Sequence, residues 1–232
     1  MRSWKGESLR DDVTHAVEDY LKAIYEICLE QDRASTTRLA VELGVTPASV
    51  TGMLQKLASM PTPLIDYKKH HGVALTPDGQ RVALEIIRHH RLLEMYLHER
   101  LGYAWDEVHD EADRLEHVIS EGFEDRIARD LGHPTHDPHG DPIPSSDLQV
   151  PESTAVPLSE MVLCGRVVVQ RVRDSDAELL RYLSGLGIIP HSELELLERS
   201  PYDGNLTLQV VGADAPVVLG PQVTHQIYVE AI

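Results

Sequence analysis

The segment HDEADRLEH, residues 109–117, places two histidines and four acidic residues within nine positions. On a helix, four of these side chains project along one stripe, because their positions follow the spacing i, i+4, i+7 and i+8. They are His109, Asp113, Glu116 and His117. Imidazole nitrogens and carboxylate oxygens are ligands of divalent metals, so the stripe is a candidate metal site. The alternative is a solvated face, because charge runs on helices usually face water.

Two further segments carry donors of the same kind. His90 and Glu94 form an i, i+4 pair on another predicted helix. Asp19 lies among apolar residues of the first predicted helix, where a carboxylate needs a partner. Donors on three helices favour a metal site over a solvated face.

Two other functions stay open at this point. A metalloenzyme would use three protein ligands and an open metal position to activate water. However, the sequence contains no HExxH motif and no nucleophile or base apart from the donors, so we expect no enzymatic activity. A DNA-binding regulator with an organic effector would leave the acidic stripe solvated.

Three long helices are predicted to position the donors. Residues 13–30, 77–101 and 105–131 each place apolar side chains at helical spacing. Thr76 is a good N-cap for the second helix, and Pro77 fits its first turn.

A helix-turn-helix is predicted between the first two of these helices. A short helix at 36–43 ends at Gly44, a residue type that favours helix C-termini. A second helix follows, for which Thr46 is an N-cap and Pro47 fits the first turn. The segments LIDY and VALT then predict two strands around the basic turn at 68–72. Together these elements indicate a winged helix-turn-helix, which is a DNA-binding unit.

The charge of the chain is unevenly distributed. The net charge is −17, which by itself argues against a nucleic-acid partner. However, residues 1–75 contain nine Lys and Arg against ten Asp and Glu, and residues 36–72 contain four against two. The predicted helix-turn-helix region is therefore mildly basic within an acidic chain. The residues predicted to bind DNA are Arg38, Thr46, Pro47, Ala48, Ser49, Thr51, Lys56, Lys68, Lys69 and His71.

The C-terminal part of the sequence differs from the N-terminal part in composition and in its hydrophobic pattern. Residues 132–157 are rich in Pro, Gly, Ser and His without periodicity, and we interpret them as a solvated linker rather than a histidine metal site. Beyond this segment, five short alternating stretches predict strands, with one short helix at 176–188. This pattern indicates a small barrel like that of SH3 domains.

The sequence also indicates the cellular compartment. No apolar run approaches the length of a membrane span, and residues 1–12 lack the apolar core of a signal peptide. Cys28 and Cys164 are the only cysteines, and they are far apart and lack metal-like spacing. We therefore expect a cytoplasmic protein with no membrane contact and no disulfide framework.

Several of these segments resemble the diphtheria toxin repressor family of metal-activated transcriptional repressors. The similarity lies in VEDYLKAIY, TPASVTGMLQKL, LTPDGQRVA, RHHRLLEMYL and VHDEADRLEHVIS, and it covers nearly the whole chain. The resemblance implies a metal-dependent repressor that binds operator DNA as a homodimer. It also implies the fold class: a mainly α N-terminal part, with a winged helix-turn-helix and a helical metal-binding and dimerisation domain, followed by a small all-β SH3-like domain.

The same resemblance predicts the domain boundaries. The expected segments are the DNA-binding domain at 1–76, the metal-binding and dimerisation domain at 77–140, a linker at 141–157 and the SH3-like domain at 158–232. The apolar face near Ile119, Phe123 and Ile127 is predicted to be either a dimer interface or part of the core.

The resemblance further implies two metal sites. The primary, activating site would use Asp19, Asp113, Glu116 and His117. The ancillary site would use His90, Glu94, His109 and an acidic residue of the SH3-like domain. The best candidate for the last ligand is Asp176, with Glu178 as the alternative.

The ligand types indicate which metal is preferred. Iron-responsive members of the family carry methionine and cysteine at two primary-site positions, where this chain has Asp19 and Asp113. Carboxylate oxygens suit Mn²⁺ better than sulfur does, so we expect Mn²⁺, with Fe²⁺ as the second candidate. Lys22 stands where short manganese-responsive members carry a glutamate, so their closely spaced two-metal arrangement is not expected.

Metal binding is expected to control DNA binding through the first helix. Without a cation, Asp19, Asp113 and Glu116 would repel one another if held close together. A divalent ion would reverse this balance and tie the first helix to the helix at 105–131. By linkage, metal and operator would then tighten each other's binding by about 5–150-fold.

Overall fold

The computed structural model describes residues 13–162 and 165–232. The predictions for residues 1–12 and for Cys164 lie outside the described residues. The chain forms two compact units. The first comprises the described part of Met1–His89 with Ser146–Leu148, and the second comprises His90–Ser145 with the described part of Gln149–Ile232.

The first unit contains the predicted winged helix-turn-helix. Its elements are α1 (His15–Cys28), α2 (Thr36–Glu42), α3 (Pro47–Ala58), β1 (Ile65–Lys68), β2 (Gly72–Leu75) and the first half of α4 (Pro77–Leu101). The two strands pair antiparallel, with Ile65 opposite Leu75 and Lys68 opposite Gly72. Buried apolar side chains from the three helices, the hairpin and the start of α4 form one core.

The helix ends in this unit follow the predicted local chemistry. The Thr46 side chain accepts a hydrogen bond from the backbone N–H of Ser49, and Pro47 occupies the first turn of α3. Gly44 adopts the left-handed conformation, with φ of +62°, directly after the end of α2. At the start of α4, the Thr76 hydroxyl accepts from the backbone N–H of Gly79. These caps hold α2 and α3 in place as the two helices of the motif.

The helix predicted at 105–131 is wrong as a single element. The second unit instead contains α5 (Val108–Leu115) and α6 (Glu121–Asp130). The break occurs because Ser120 is extended and caps α6, accepting a hydrogen bond from the backbone N–H of Phe123. As a result Ile127 is buried, whereas the Phe123 residue is 47% exposed.

The segment after α6 is not the solvated linker predicted from its composition. Asp137, His139 and Ile143 are buried, whereas His133 and His136 are exposed. Composition failed here because a Pro- and Gly-rich segment without periodicity can still pack when a few side chains organise it.

One aspartate organises this loop. Oδ1 of Asp137 accepts hydrogen bonds from the backbone N–H groups of His139 and Asp141, which closes a tight turn. Gly140 has φ of +89°, and a Cβ at this position would overlap the carbonyl oxygen of Gln170. The turn therefore packs directly against the strand that contains Gln170.

The rest of the second unit is the predicted SH3-like domain. Its strands are β3 (Val156–Pro157), β4 (Arg166–Val172), β5 (Glu193–Arg199), β6 (Leu206–Val210), β7 (Val217–Leu219) and β8 (Ile227–Ala231). They form one antiparallel sheet in the order β3-β8-β4-β5-β6-β7. Its helices are α7 (Ala177–Gly185), α8 (Pro221–Thr224) and a 3-10 turn at Leu158–Glu160. The buried apolar residues of these elements form a separate core.

Among the residues that the structure describes, no helix combines the length and the hydropathy needed to cross a bilayer.

Candidate functional site

Three segments of the second unit bring four donor side chains together. They are His90 and Glu94 on α4, His109 on α5 and Asp174 in the turn after β4. Each offers a ligand atom within 4.8 Å of the others, and we call this group the ancillary cluster. Oε1 of Glu94 lies 2.9 Å from Nε2 of His90 and 3.3 Å from Nδ1 of His109. Oδ2 of Asp174 lies 3.3 Å from the same Nδ1 of His109.

The electrostatics of the ancillary cluster favour ionised carboxylates. Burial by itself raises the pKa of Glu94, but the charge of His90 and hydrogen bonds from neighbouring histidines hold it well below its ordinary value. Burial likewise opposes protonation of His109, yet its hydrogen bonds to Asp174 and Glu94 raise its pKa to about 10. The pKa of Asp174 is lowered, because its hydrogen bond to His109 outweighs burial. The carboxylates of Glu94 and Asp174 are thus held ionised beside histidines, which supply the counter-charge in the absence of a bound cation.

The predicted ligands from the SH3-like domain are replaced by another residue. Asp176 is the exposed N-cap of α7, and its carboxylate accepts from the backbone N–H groups of Glu178 and Leu179. Glu178 is exposed in the first turn of the same helix. Asp174, two residues before the cap, reaches His109 instead. The segment DSDAE contained the signal, because the aspartate directly before a predicted helix is its natural cap and leaves the earlier one available.

Three of the four residues of the predicted stripe, Asp113, Glu116 and His117, lie at or just after the end of α5. Asp113 lies on α5, while Glu116 and His117 follow its last residue. Glu116 is buried, and its Oε1 lies 3.5 Å from Nε2 of His117. The Asp113 side chain is 48% exposed.

His90 joins this stripe, although the resemblance implied it only for the ancillary site. Nδ1 of His90 lies 2.5 Å from Oε2 of Glu116 and 3.2 Å from Oδ1 of Asp113. Its other ring nitrogen faces Glu94. His90 therefore connects two groups of carboxylates within the second unit. Asp19, the remaining predicted ligand, lies on α1 of the first unit and is half-buried.

The residues predicted to bind DNA lie on the surface of the first unit. Nine of them are exposed and Thr51 is half-buried. The Thr51 hydroxyl donates to the carbonyl oxygen of Pro47, and the Thr46 and Ser49 hydroxyls share a hydrogen bond of 3.0 Å. Two of the cations have acidic neighbours: Arg38 lies 3.7 Å from Glu42, and Lys68 lies 3.5 Å from Asp66. The N-terminal turn of α3 and the basic hairpin are thus available for contact with DNA.

Three protein-family models match the chain. The model described as "Iron dependent repressor, N-terminal DNA binding domain" matches residues 12–73. The one described as "Iron dependent repressor, metal binding and dimerisation domain" matches residues 76–145, and the "FeoA domain" matches residues 156–231. Together these matches span most of the sequence.

Similar proteins match over nearly the full length. The iron-dependent repressor IdeR of Mycobacterium leprae is 29% identical over 96% of this chain and 100% of its own. The diphtheria toxin repressor of Corynebacterium diphtheriae is 30% identical over 95% of this chain and 99% of its own. A solved manganese-dependent transcriptional repressor in complex with manganese is 41% identical, with a TM-score of 0.87, over 93% of this chain and 100% of that chain.

Proposed function

This chain belongs to the diphtheria toxin repressor family, whose members are metal-dependent transcriptional repressors and not enzymes, and on this premise we propose that it is a Mn²⁺-activated repressor. The observation that carries the proposal is the convergence of histidine and carboxylate side chains that are buried on α4 and half-buried on α5 and after β4. A solvated acidic face, which a regulator with an organic effector would have, does not bury such groups.

The donor set fits a divalent cation of intermediate hardness. Oxygen ligands outnumber nitrogen ligands, and no sulfur is among them, which favours Mn²⁺ with Fe²⁺ as the second candidate. When bound, the cation supplies the positive charge that allows these carboxylates to lie close together. The similarity to a manganese-dependent repressor supports the same choice.

We assign the ligands to two sites. The primary site uses Asp113, Glu116 and His117, together with Asp19, which the family resemblance adds. The ancillary site uses His90, Glu94, His109 and, in place of Asp176, Asp174. In both sets the protein's own groups hold the donors: His90 orients Glu94 and Glu116 through its two ring nitrogens, and Glu94 and Asp174 flank His109.

The partner is double-stranded operator DNA bound by a homodimer. One recognition helix reads only a few base pairs, so two-fold dimers on palindromic sites are the usual solution. In this proposal the start of α3 reaches the groove, while Lys56, Lys68, Lys69 and His71 contact phosphates. The match to a dimerisation domain over residues 76–145 supports the dimer. The protein would act in the cytoplasm, where its operator is.

A gel-shift titration tests the proposal. The probe is a duplex selected from a randomised DNA pool by the Mn²⁺-loaded protein, and affinity is measured with Mn²⁺, Fe²⁺, Zn²⁺ or a chelator. We expect DNA binding with Mn²⁺ and its loss with chelator. Affinity for the duplex that does not depend on metal would contradict the proposal and support an organic effector.

The Asp113→Ala variant tests the primary-site assignment. It should need at least about tenfold more Mn²⁺ for half-maximal DNA binding, because a ligand is lost. Asp110→Ala is the matched control, since Asp110 is an exposed acidic residue in the first turn of the same helix. If both variants respond to Mn²⁺ like the parent chain, Asp113 is not a ligand of the activating metal.

A further inference from the structure

The hairpin formed by β1 and β2 packs closely against the chain that connects α1 to α2. Ala34, in this connection, pairs with Val73 of β2 through two backbone hydrogen bonds of 2.8 and 2.9 Å. Gly72 has φ of +84°, and a Cβ at this position would lie 2.6 Å from the carbonyl oxygen of Ala34. The connection therefore acts as a third short strand that supports the hairpin, and the residue before Ala34 is Arg33.

The guanidinium group of Arg33 contacts both strands of this hairpin. Nη1 donates to Oδ2 of Asp66 at 2.9 Å. Nη2 donates to the carbonyl oxygens of Asp66 on β1 and of Gly72 on β2. A planar guanidinium can serve several acceptors at once in a fixed geometry, which an ammonium group cannot do equally well. Arg33 therefore ties the hairpin to the connection between α1 and α2.

The Asp66 carboxylate is shared between Arg33 and a lysine of the hairpin. Asp66 and Lys68 are two positions apart on β1, so their side chains project from the same exposed face. Nζ of Lys68 lies 3.5 Å from Oδ2 of Asp66, the oxygen that also accepts from Arg33. The contact to Arg33 is shorter, and the Arg33 side chain is only 23% exposed, against 62% for Lys68. The hydrogen bond from Arg33 is also the main reason that the pKa of Asp66 is lowered. Lys68 is thus the weaker and more exposed partner of this acid.

This arrangement matters because Lys68 is one of the residues assigned to phosphate contacts. To reach a phosphate, its ammonium group must leave Asp66. An uncompensated carboxylate on the same face would attract the lysine back and would repel the phosphate. Arg33 removes both obstacles, because its own bonds to Asp66 stay in place when Lys68 leaves. Its guanidinium is already engaged with the hairpin, so a phosphate contact by Arg33 itself is not needed.

We propose that Arg33 is a positioning residue for DNA binding: it holds the Asp66 carboxylate, so that Lys68 can turn to a phosphate of the DNA backbone. The inference rests on the proposed function, since it requires a DNA-bound state in which the hairpin lies against phosphates.

The salt dependence of DNA binding by the full, Mn²⁺-loaded chain tests the proposal. In Arg33→Ala, Asp66 retains Lys68, and the slope of log affinity against log salt should fall by roughly 2, because a homodimer loses two phosphate contacts. The double variant Arg33→Ala/Asp66→Ala should regain the parent slope, because no carboxylate is left to hold Lys68. An unchanged slope in Arg33→Ala would overturn the proposal. A slope that stays low in the double variant would do the same, because Arg33 would then contact phosphate itself or only stabilise the hairpin.

A matched control and a second variant complete the test. Arg166→Ala removes an exposed arginine that pairs with Glu193 in the SH3-like domain, and it should keep the parent slope. If Arg33→Ala does not fold, as judged by its thermal unfolding, Asp66→Ala decides. This variant should also keep the parent slope, because Arg33 already compensates the acid in the parent complex. A slope steeper by roughly 2 would show that Asp66 holds Lys68 even with Arg33 present, which would refute the proposal.

DNA binding of the parent chain with Mn²⁺ and with chelator is measured first, so that the two proposals are judged separately. A parent chain that binds no DNA would overturn both. Metal-dependent binding by the parent, combined with slopes that contradict the expectations above, would overturn only the role of Arg33.

Discussion

At the scale of single residues, the most informative side chain is that of Glu94. It is fully buried, and its two oxygens face different neighbours: Oε1 faces His90 and His109, and Oε2 faces His139. Its pKa is held low by these histidines despite burial. A single carboxylate therefore connects helix α4 to α5 and to the loop after α6 by charge.

Asp174 provides a prediction at this scale. Replacing it by asparagine should weaken Mn²⁺ binding at the ancillary cluster by at least about tenfold, because an anionic ligand is lost. Isothermal titration of the full chain with Mn²⁺ measures the change. Asp176→Asn is the matched control, since asparagine also caps helices well and this residue lies outside the cluster. The opposite ranking of the two variants would restore Asp176 as the ligand.

At the scale of elements, short polar segments decide where helices begin and end. Ser120 ends the helical run predicted over 105–131 and starts α6. The break leaves Glu116 and His117 beyond the last residue of α5. There Glu116 lies 2.5 Å from His90 of α4 and 3.5 Å from His117. In a continuous helix, Glu116 and His117 would have remained on the same helical face as Asp113, and helical spacing alone would have set their positions.

The cap of α3 can be tested by substitution. Thr46→Ala removes the acceptor for the backbone N–H of Ser49 and should destabilise the protein by about 1 kcal/mol. For a chain of this size the melting temperature should fall by roughly 2–4 °C, measured by circular dichroism. Thr46→Ser retains the hydroxyl and should melt close to the parent. Equal losses in both variants would show that the methyl group, not the cap, is responsible.

The packing of the loop on the sheet gives another prediction. Gly140→Ala should destabilise the protein by roughly 2–4 kcal/mol, because its φ is +89° and the new Cβ would overlap the carbonyl of Gln170. Gly132→Ala is the control: its φ is +74°, but no described atom lies within 4 Å of the added Cβ. It should cost only about 1 kcal/mol. Denaturant unfolding compares them, and equal losses would contradict close packing of the turn.

At the scale of the whole molecule, charge is the property that most affects DNA binding. The chain carries −17 overall, and few cations lie on the predicted DNA-binding surface. Affinity should therefore depend only modestly on salt for a dimeric repressor, because few counterions are released. Metal binding would also reduce the net negative charge, in the direction that favours DNA.

Salt dependence tests which cations touch phosphate. Lys69→Ala should reduce the slope of log affinity against log salt by roughly 2, because a homodimer loses two phosphate contacts. Arg114→Ala is the control, since Arg114 is an exposed cation on α5 that pairs with Glu111. A slope that stays constant in Lys69→Ala would remove this residue from the DNA-contacting surface.

The sequence by itself determined the fold class, the winged helix-turn-helix with its caps at Thr46 and Thr76, and most donors of the candidate sites. These features are local, because helical period, capping and strand alternation act over a few residues. Only the tertiary structure decided that Asp174 rather than Asp176 joins the ancillary cluster and that His139 is buried. Helix capping explains locally why Asp176 is not available as a ligand. Which side chains Asp174 and His139 meet depends on contacts between segments more than thirty residues apart, and no local pattern encodes those contacts.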